Sequence, residues 1–331
     1  MTAPRGPNAA LAARAPGKIN LCLYLGQRRE DGLHELVSVV QSVSLADELV
    51  LEHAPAGASG DIVECALVPE LNIAERALED FRARTGSEER PQHLLIRKVV
   101  PVAGGMGGGS ADAAAALRLA AARTGMGDEA LLMEVARGIG ADVPAQVRPG
   151  RSLVQGAGER VKPLPDPPPF GILILPSLRR LSTPEVYDEA DRLGLGRDPD
   201  GLAAALEAIR ASLGLADAGG READGEAVRR ELDRGAVGRE LDRALMVNEL
   251  EPAALSLCPE LDEALDAVRA TGADVAMVSG SGPTVVGLFT GRKGVSRAAA
   301  AARALSRRDP TPVAATPVGE DFGRPAATDS A

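Results

Sequence analysis

The segment PVAGGMGGGSADAAAAL, residues 101–117, is the most distinctive local feature of the sequence. Five of the six residues at positions 104–109 are glycine, which lets the backbone adopt positive φ angles and approach a ligand closely. The alanine-rich stretch that follows predicts a helix, with Ser110 as a candidate N-cap and Asp112 in the first turn. Free N–H groups at a helix N-terminus attract an anion, so the segment predicts a phosphate site. A glycine-rich turn without a ligand is the plainer alternative.

Two common nucleotide-binding patterns do not describe this loop. A P-loop requires G-x-x-x-x-G-K-[ST], but the only Gly-Lys pair, Gly17-Lys18, is followed by isoleucine and has Ala12 at the first glycine position. The dinucleotide pattern G-x-G-x-x-G fails because Ser110 stands at the third glycine position. The phosphate loop therefore belongs to another class.

Length, charge and cysteine content limit the class of protein. The 331 residues suffice for two domains, and 45% hydrophobic with 25% charged residues is typical of a soluble globular protein. The net charge of −10 argues against nucleic-acid partners and anionic membrane surfaces, and no window approaches the length of a membrane span. Three distant cysteines without a CxxC pair argue against disulfides and a zinc site. We expect a cytoplasmic protein, a monomer or homodimer, that acts on a small molecule and has no metal cage of its own.

Composition also suggests the domain boundaries. We predict a flexible extension at 1–12, a first domain at 13–165, a second at 166–308 after the proline-rich PLPDPPPFG, and a disordered Pro- and Ala-rich tail at 309–331. The charged stretch at 215–243 predicts a solvated helical face. Periodicity predicts strands at 17–25, 36–44, 48–53, 61–67 and 93–99, and helices at 72–86, 128–138, 184–193, 200–213, 222–244, 259–270 and 294–307.

The stretch RAPGKINLCLYLGQRREDGLHEL, residues 14–36, reads as a strand with an unusual polar pair. Strict alternation places Lys18 and Asn20 on one face with Cys22 and Tyr24, and Ile19, Leu21, Leu23 and Leu25 on the other. Lys18 fits either a charged edge strand that discourages aggregation or a catalytic group.

Four separated segments together resemble the GHMP kinase superfamily, which includes the galactokinase, homoserine, mevalonate and phosphomevalonate kinases. They are the Lys18 strand with DGLHEL, the glycine loop, GIGADVPAQV at 138–147 and MVSGSGPTVVGLF at 277–289. The resemblance implies an α+β fold of two domains, the N-terminal one like ribosomal protein S5 and the C-terminal one ferredoxin-like, with the active site in the interdomain cleft.

Within the superfamily, DGLHEL, STPEVY at 182–187 and NELEPAA at 248–254 resemble the branch that acts on a cytidine-diphosphate-linked methylerythritol. The resemblance implies that ATP, with its Mg²⁺, phosphorylates the 2-hydroxyl of that compound on the non-mevalonate route to isoprenoids. A homoserine- or mevalonate-type kinase is the first alternative, and a non-catalytic metabolite-sensing relative is the second.

The resemblance also implies roles for individual residues. Asp142 matches the catalytic base and Lys18 the lysine beside it, although Asp before Val-Pro is also a good helix cap. Matches to substrate contacts are Asn20, His34, Thr183 and the aromatic Tyr187; Leu33 stands where the family has an aromatic residue that stacks on cytosine.

The remaining matches concern ATP and the floor of the site. Residues that match the ATP site are Pro101, Val102, Ala103, Gly104, Gly105, Met106, Gly107, Gly108, Gly109, Ser110, Ala111, Lys98 and Asn72. Gly280, Ser281 and Gly282 match a glycine motif that shapes the site, with a plain hairpin turn as the alternative.

Overall fold

The computed structural model describes residues 9–68, 72–215 and 237–328. Strands are numbered in chain order, and those of the first sheet are β1 (Leu11–Arg28), β2 (His34–His53), β3 (Ile62–Glu64), β4 (Gln92–Arg97), β5 (Arg151–Gly156), β6 (Arg160–Leu164) and β11 (Ala326–Ala327). The strand order of this sheet is β11-β1-β2-β4-β3, while β5 pairs with β2 and β6 pairs with β5.

Helices of the N-terminal part pack on this sheet through small side chains. They are α1 (Ile73–Thr85), α2 (Gly108–Thr124), α3 (Glu129–Ile139) and α4 (Val143–Val147). Four consecutive alanines of α2, residues 113–116, are completely buried. Because alanine has no long side chain, α2 approaches its neighbours closely, and this places its first turn, with the glycine loop, beside β1.

The second sheet consists of β7 (Gly171–Leu175), β8 (Val275–Val278), β9 (Val285–Phe289) and β10 (Val313–Ala315). It is antiparallel, with the strand order β10-β7-β9-β8. The associated helices are α5 (Thr183–Leu193), α6 (Pro199–Leu213), α7 (Glu251–Leu257), α8 (Leu261–Ala270) and α9 (Gly294–Ala304), with 3₁₀ turns at Arg243–Leu245 and Glu320–Gly323. If these four strands are counted 1 to 4 along the chain, their order in the sheet is 4-1-3-2. This is the ferredoxin-like arrangement, as predicted.

Parts of the predicted flexible extension and of the predicted disordered tail form strands in the described residues. Leu11 and Ala12, placed in the extension, belong to β1, and residues 1–8 lie outside the described part. The tail adds β10 to the second sheet and then pairs β11 with β1, at Leu11 and Ala12. These pairings use backbone hydrogen bonds, which the Pro- and Ala-rich composition of the tail does not reveal.

Other local predictions also need correction. The predicted strands 36–44 and 48–53 form one strand, β2, and Gly107 rather than Ser110 is the N-cap of α2. The predicted helix 222–244 lies largely outside the described residues; its described end has only the turn Arg243–Leu245.

A β-bulge changes which side chains share a face of β1. The register with β2 shifts between Asn20 and Cys22, so strict alternation fails there. Beyond the shift, Leu23 rather than Cys22 lies on the side of Lys18 and Asn20. Cys22 and Tyr24 pack instead with Ile19 in the apolar core. Lys18 and Asn20 therefore face the cleft, whereas Cys22 and Tyr24, which strict alternation places on the same face, lie in the apolar core.

Within the described ranges, every helix is too short or too polar to cross a bilayer. The three cysteines are all described, and each is free and buried. Burial raises the pKa of the Cys22 thiol to about 12, so this thiol stays protonated at neutral pH.

Candidate active site

A cleft of about 710 Å³ lies between the two sheets, a volume within the usual range of small-molecule sites. The glycine loop and the β1–β2 pair form one wall, and the start of α5 with the β8–β9 connection forms the other. Polar and charged side chains from both domains line it: Lys18, Asn20, Arg28, His34, Ser38, Asn72, Lys98, Ser110, Asp112, Asp142, Thr183, Asp188 and Ser281.

The glycine loop turns sharply before it enters α2. Ala103, Gly105 and Gly107 have φ angles of 55°, 74° and 63°, in the left-handed region that favours glycine. Helix α2 begins at Gly108, so Ser110 lies in its first turn rather than at its cap. The free N–H groups of this turn open into the cleft, which is the geometry of an anion site.

The β1 lysine is held by a chain of hydrogen bonds. Lys18 Nζ donates to Asn20 Oδ1 at 2.9 Å, and Asn20 Nδ2 donates to Ser38 Oγ at 2.7 Å. Ser38 Oγ in turn donates to the carbonyl of Cys22 at 2.6 Å. The side chain of Lys18 is only 7% exposed, so its ammonium has a fixed position at the cleft wall.

Asp142 approaches this lysine from the segment before α4. The distance from Lys18 Nζ to Asp142 Oδ2 is 3.6 Å, and the carboxylate is half exposed to the cleft. Although Asp142 stands at the N-cap position of α4, its side chain makes no capping hydrogen bond. The carboxylate is therefore free to contact a ligand, and the helix-cap alternative has no support in the geometry.

Beneath the glycine loop lies a buried ionic cluster. Lys98 Nζ contacts Asp47 Oδ2 at 2.5 Å and Asp112 Oδ2 at 2.7 Å. The other oxygen of Asp47 accepts from the backbone N–H groups of Val99 and Val100, where the chain leaves β4. The cluster therefore ties β2, the start of the loop and α2 together, and fixes the position of the loop.

The pKa values in this cluster are shifted by burial and by the neighbouring charges. Burial raises the pKa of the Asp112 carboxyl to about 7; the Asp47 carboxylate adds to the rise and Lys98 opposes it. Burial lowers the pKa of the Lys98 ammonium, but the attraction of the two carboxylates outweighs it and the pKa is raised. Oδ1 of Asp112 is buried without a hydrogen-bond partner, which is consistent with its preference for the protonated form.

Replacing Asp112 by asparagine should change how stability depends on pH. The pKa of Asp112 rises from 3.8 to about 7 on folding, so the native state binds a proton that the unfolded chain releases. The stabilisation from this group is complete below the unfolded pKa and is lost as the pH rises to about 7. Asparagine does not titrate, so D112N does not lose this stabilisation. The free energy of unfolding of D112N minus that of wild type should therefore increase between about pH 4 and about pH 7. If the free energies of unfolding of the two proteins changed with pH in the same way, the raised pKa of Asp112 would be contradicted.

Two rings and an apolar side chain, from His34, Tyr187 and Leu33, form another part of the cleft lining. His34 packs against Tyr187 with ring centroids 5.0 Å apart, and the Leu33 side chain is 51% exposed beside them. Burial, together with the nearby Asp142 carboxylate, raises the pKa of the Tyr187 phenol, which therefore stays neutral.

The β8–β9 connection closes the floor of the cleft. Asn248 Nδ2 donates to the carbonyls of Val278 and Gly280, both at 2.8 Å, and this holds the glycine motif in place. Ser281 Oγ is 3.0 Å from Thr183 Oγ1 at the start of α5. The motif is both a hairpin connection and a wall of the site, so the two sequence interpretations are compatible.

The structure brings most predicted site residues together. Those that line the cleft are Lys18, Asn20, Leu33, His34, Asn72, Lys98, Pro101, Val102, Ala103, Gly104, Gly105, Gly107, Gly108, Gly109, Ser110, Asp142, Thr183, Tyr187, Gly280 and Ser281. Three do not line it: Met106 and Ala111, which are buried in the core, and Gly282 of the glycine motif. Asn72 is also the N-cap of α1, where its side chain accepts from the N–H of Ala74.

Sequence reasoning missed several residues of the site. Asp47 and Ser38 both lie on β2. Asp47 acts by holding Lys98 and Ser38 acts by holding Asn20, and the members of each pair are far apart in the sequence. Asn248 is part of the NELEPAA motif, whose sequence alone indicates no role for it. A buried polar residue in an otherwise apolar strand is the signal that could have identified Asp47 and Ser38.

Two family models match the chain on either side of the proline-rich boundary. The one described as the GHMP kinases N terminal domain matches residues 72–150, which include the glycine loop and Asp142. The one described as GHMP kinases C terminal matches residues 224–309, which include the Gly280 motif.

Curated relatives are similar over most of their length. A Streptomyces coelicolor protein named 4-diphosphocytidyl-2-C-methyl-D-erythritol kinase is 39% identical, over 89% of this chain and 93% of the relative. A protein of the same name from Nocardioides sp. is also 39% identical, over 82% of this chain and 86% of the relative.

Solved structures give the same fold. A crystal structure of 4-(cytidine 5'-diphospho)-2C-methyl-D-erythritol kinase is 33% identical, with a TM-score of 0.67 over 93% of this chain and 99% of that one. A homoserine kinase from Cytophaga hutchinsonii is 15% identical, with a TM-score of 0.64 over 99% of both chains, and shows the fold alone.

Proposed function

Since the chain belongs to the GHMP kinase family, we propose that it transfers the γ-phosphoryl group of ATP to the 2-hydroxyl of 4-diphosphocytidyl-2-C-methyl-D-erythritol. The observation that carries the proposal is the Lys18–Asp142 pair in the cleft beside the glycine loop. The names of relatives at 35–39% identity support the substrate. The reaction belongs to the non-mevalonate route to isoprenoids.

In this proposal, the glycine loop binds the phosphates of ATP. The N–H groups of the first turn of α2 and the positive end of its dipole face the anionic groups. The Asp47–Lys98–Asp112 cluster keeps the loop in this conformation before ATP arrives. A loop that is already ordered loses little conformational entropy on binding.

Lys18 and Asp142 act on the acceptor hydroxyl. Asp142 accepts the proton of the hydroxyl as the oxygen attacks phosphorus, and general-base catalysis of this kind contributes about 10²- to 10⁴-fold. The ammonium of Lys18, 3.6 Å from the Asp142 carboxylate, places a positive charge beside the reacting hydroxyl and stabilises the negative charge that develops on the transferring group. Asn20 and Ser38 hold the ammonium in that position.

Mg²⁺ fits the site as a companion of ATP rather than as a resident of a protein cage. The described residues contain no cluster of three or more His, Cys, Asp or Glu side chains that could hold a metal ion. The Ser110 hydroxyl lines the cleft at the first turn of α2 and is a hard oxygen donor suited to Mg²⁺. The cation, when bound, would neutralise charge on the phosphate oxygens.

The cytidine end of the substrate is proposed to lie between His34, Tyr187 and Leu33. Tyr187 offers an aromatic face, and Leu33 offers an apolar surface where the family has a second ring. The proposed compartment is the cytoplasm, where ATP is available, and three free buried cysteines are compatible with its reducing conditions.

Phosphorus NMR of the purified protein with Mg-ATP and the cytidine-diphosphate methylerythritol tests the proposal. A new phosphomonoester signal that grows as ATP is converted to ADP is the expected result. Product formed only with homoserine or mevalonate would favour the alternative kinases. Absence of turnover with all three acceptors would favour a non-catalytic relative.

A further inference from the structure

His34 has a partner that sequence reasoning did not identify. Its Nε2 lies 2.7 Å from Oδ1 of Asp191, which belongs to α5 in the C-terminal domain. The imidazole is only 4% exposed, and it lies at the start of β2 in the N-terminal domain. The contact therefore spans the two domains at the end of the cleft.

The carboxylate determines which ring nitrogen carries the proton. A carboxylate only accepts hydrogen bonds, so Nε2 of His34 must be the donor in this contact. The contact with Asp191 therefore uses Nε2 and leaves Nδ1 outside it. In the neutral ring Nδ1 is then a bare acceptor, on a residue that lines the cleft.

Asp191 is itself held in place from the N-terminal domain. Arg28 Nη1 lies 3.4 Å from Asp191 Oδ2 and 3.3 Å from Asp188 Oδ1, one turn earlier on α5. Arg28 Nε donates to the carbonyl of Gly32 at 3.1 Å, so the arginine is anchored on the β1–β2 connection. Tyr187 packs on the imidazole at an angle of 38° and limits rotation of the ring.

We propose that Asp191 is a positioning residue that fixes His34 as the Nε2–H tautomer, so that Nδ1 selects a pyrimidine whose 4-position donates a hydrogen bond. This inference rests on the proposed function and concerns the base of the same substrate. Cytosine carries an amino group at that position and satisfies the acceptor. Uracil carries a carbonyl oxygen there, which would face the lone pair of Nδ1.

The size of the selection follows from the cost of unpaired polar groups. Sites built to hydrogen-bond one group reject an analogue without it strongly, because the buried acceptor is left unpaired. The loss of the orienting carboxylate should remove much of this selection, since either tautomer and other ring orientations then become available. Turnover should be affected less, because Asp191 contacts His34 and Arg28 rather than Lys18 or Asp142.

The test compares Asp191→Ala, Asp191→Asn and Asp188→Ala with the cytidine substrate and its uridine counterpart under one set of buffer conditions. D191A should raise KM for the cytidine substrate about tenfold or more and reduce its preference over the uridine compound, with kcat changed less than about threefold. D191N keeps an acceptor for Nε2–H and should retain most of the preference. D188A is the matched control, since it removes the other Arg28 ion pair and leaves the His34 contact intact.

An unchanged preference in D191A, or an equal loss in D188A, would overturn the inference. A second measurement needs no variant: ¹⁵N shifts of the imidazole in the wild-type protein should show a protonated Nε2 and a bare Nδ1. The opposite tautomer would also overturn it. If the wild-type protein does not phosphorylate the cytidine compound, the proposed function fails, while the ¹⁵N measurement still reports on Asp191.

Discussion

Replacing Asp142 with asparagine should lower kcat by about a thousandfold or more, because the amide cannot accept the proton of the hydroxyl. The change keeps the size and shape of the side chain, so the position of Lys18, set by Asn20 and Ser38, should be maintained. The affinity for ATP should change less than about threefold, since Asp142 lies outside the glycine loop. Steady-state kinetics and calorimetric titration with a non-hydrolysable ATP analogue measure the two effects separately.

Asp128→Asn provides a matched control. Asp128 is an exposed N-cap of α3 whose Oδ1 accepts from the N–H of Leu131 at 2.9 Å. Asparagine caps a helix about as well as aspartate, so this variant loses the same charge without losing structure. Its kinetic constants should equal those of wild type. A D142N enzyme that retained more than a tenth of wild-type kcat would remove Asp142 from the role of base.

The parts of the site that could be predicted are those with a local signature. The glycine loop is readable because glycine at positive φ and a following helix are encoded in consecutive residues. Lys18 and Asn20 stood out because two polar residues interrupt an apolar strand. Their partners could not be identified in the same way: Asp47 meets Lys98 across 51 positions, and Asp191 meets His34 across 157.

The errors in the fold prediction have a related physical cause. Alternation in β1 predicts the wrong face for Cys22 and Leu23, because a bulge depends on the register with β2 rather than on β1 alone. The tail looks disordered in composition, yet it pairs with β7 and β1 through backbone groups that every residue carries. The pattern of apolar and polar side chains therefore predicts which residues are buried, but it does not predict which backbone segments pair with each other.

The contact between the glycine loop and the β8–β9 connection suggests a second test. Gly105 has a φ of 74°, and Ser279 Oγ donates to its carbonyl at 3.3 Å. A Cβ at Gly105 would meet the carbonyl oxygen of Ser279 and would lie 2.8 Å from the carbonyl oxygen of Gly282. Both neighbours are backbone atoms, so neither can move aside as a flexible side chain could. The two walls of the cleft can approach this closely only where the residue is glycine.

Replacing Gly105 with alanine should therefore separate the loop from the C-terminal domain. Strain at positive φ costs about 1–2 kcal/mol and overpacking about 1–3 kcal/mol more, so the free energy of unfolding should fall by about 2–5 kcal/mol. The displaced loop should also lower kcat/KM by about a hundredfold or more, since a shift of about 1 Å has that effect on positioned groups. Urea denaturation and steady-state kinetics measure the two losses.

Gly138→Ala is the matched control for this change. Gly138 lies within α3, where an added Cβ would meet no atom within 4 Å outside the backbone of its own helix, and it needs no positive φ. Alanine there should stabilise the helix by about 0.5–1 kcal/mol and leave turnover unchanged. If G105A and G138A behaved alike in denaturation and kinetics, the close contact between the two domains at Gly105 would not support the geometry of the active site. We expect instead that G105A loses both stability and activity. The glycine loop is fixed by the hydrogen bond from Ser279 to the carbonyl of Gly105 and by the ion pair between Lys98 and Asp112, and a displaced loop cannot keep both.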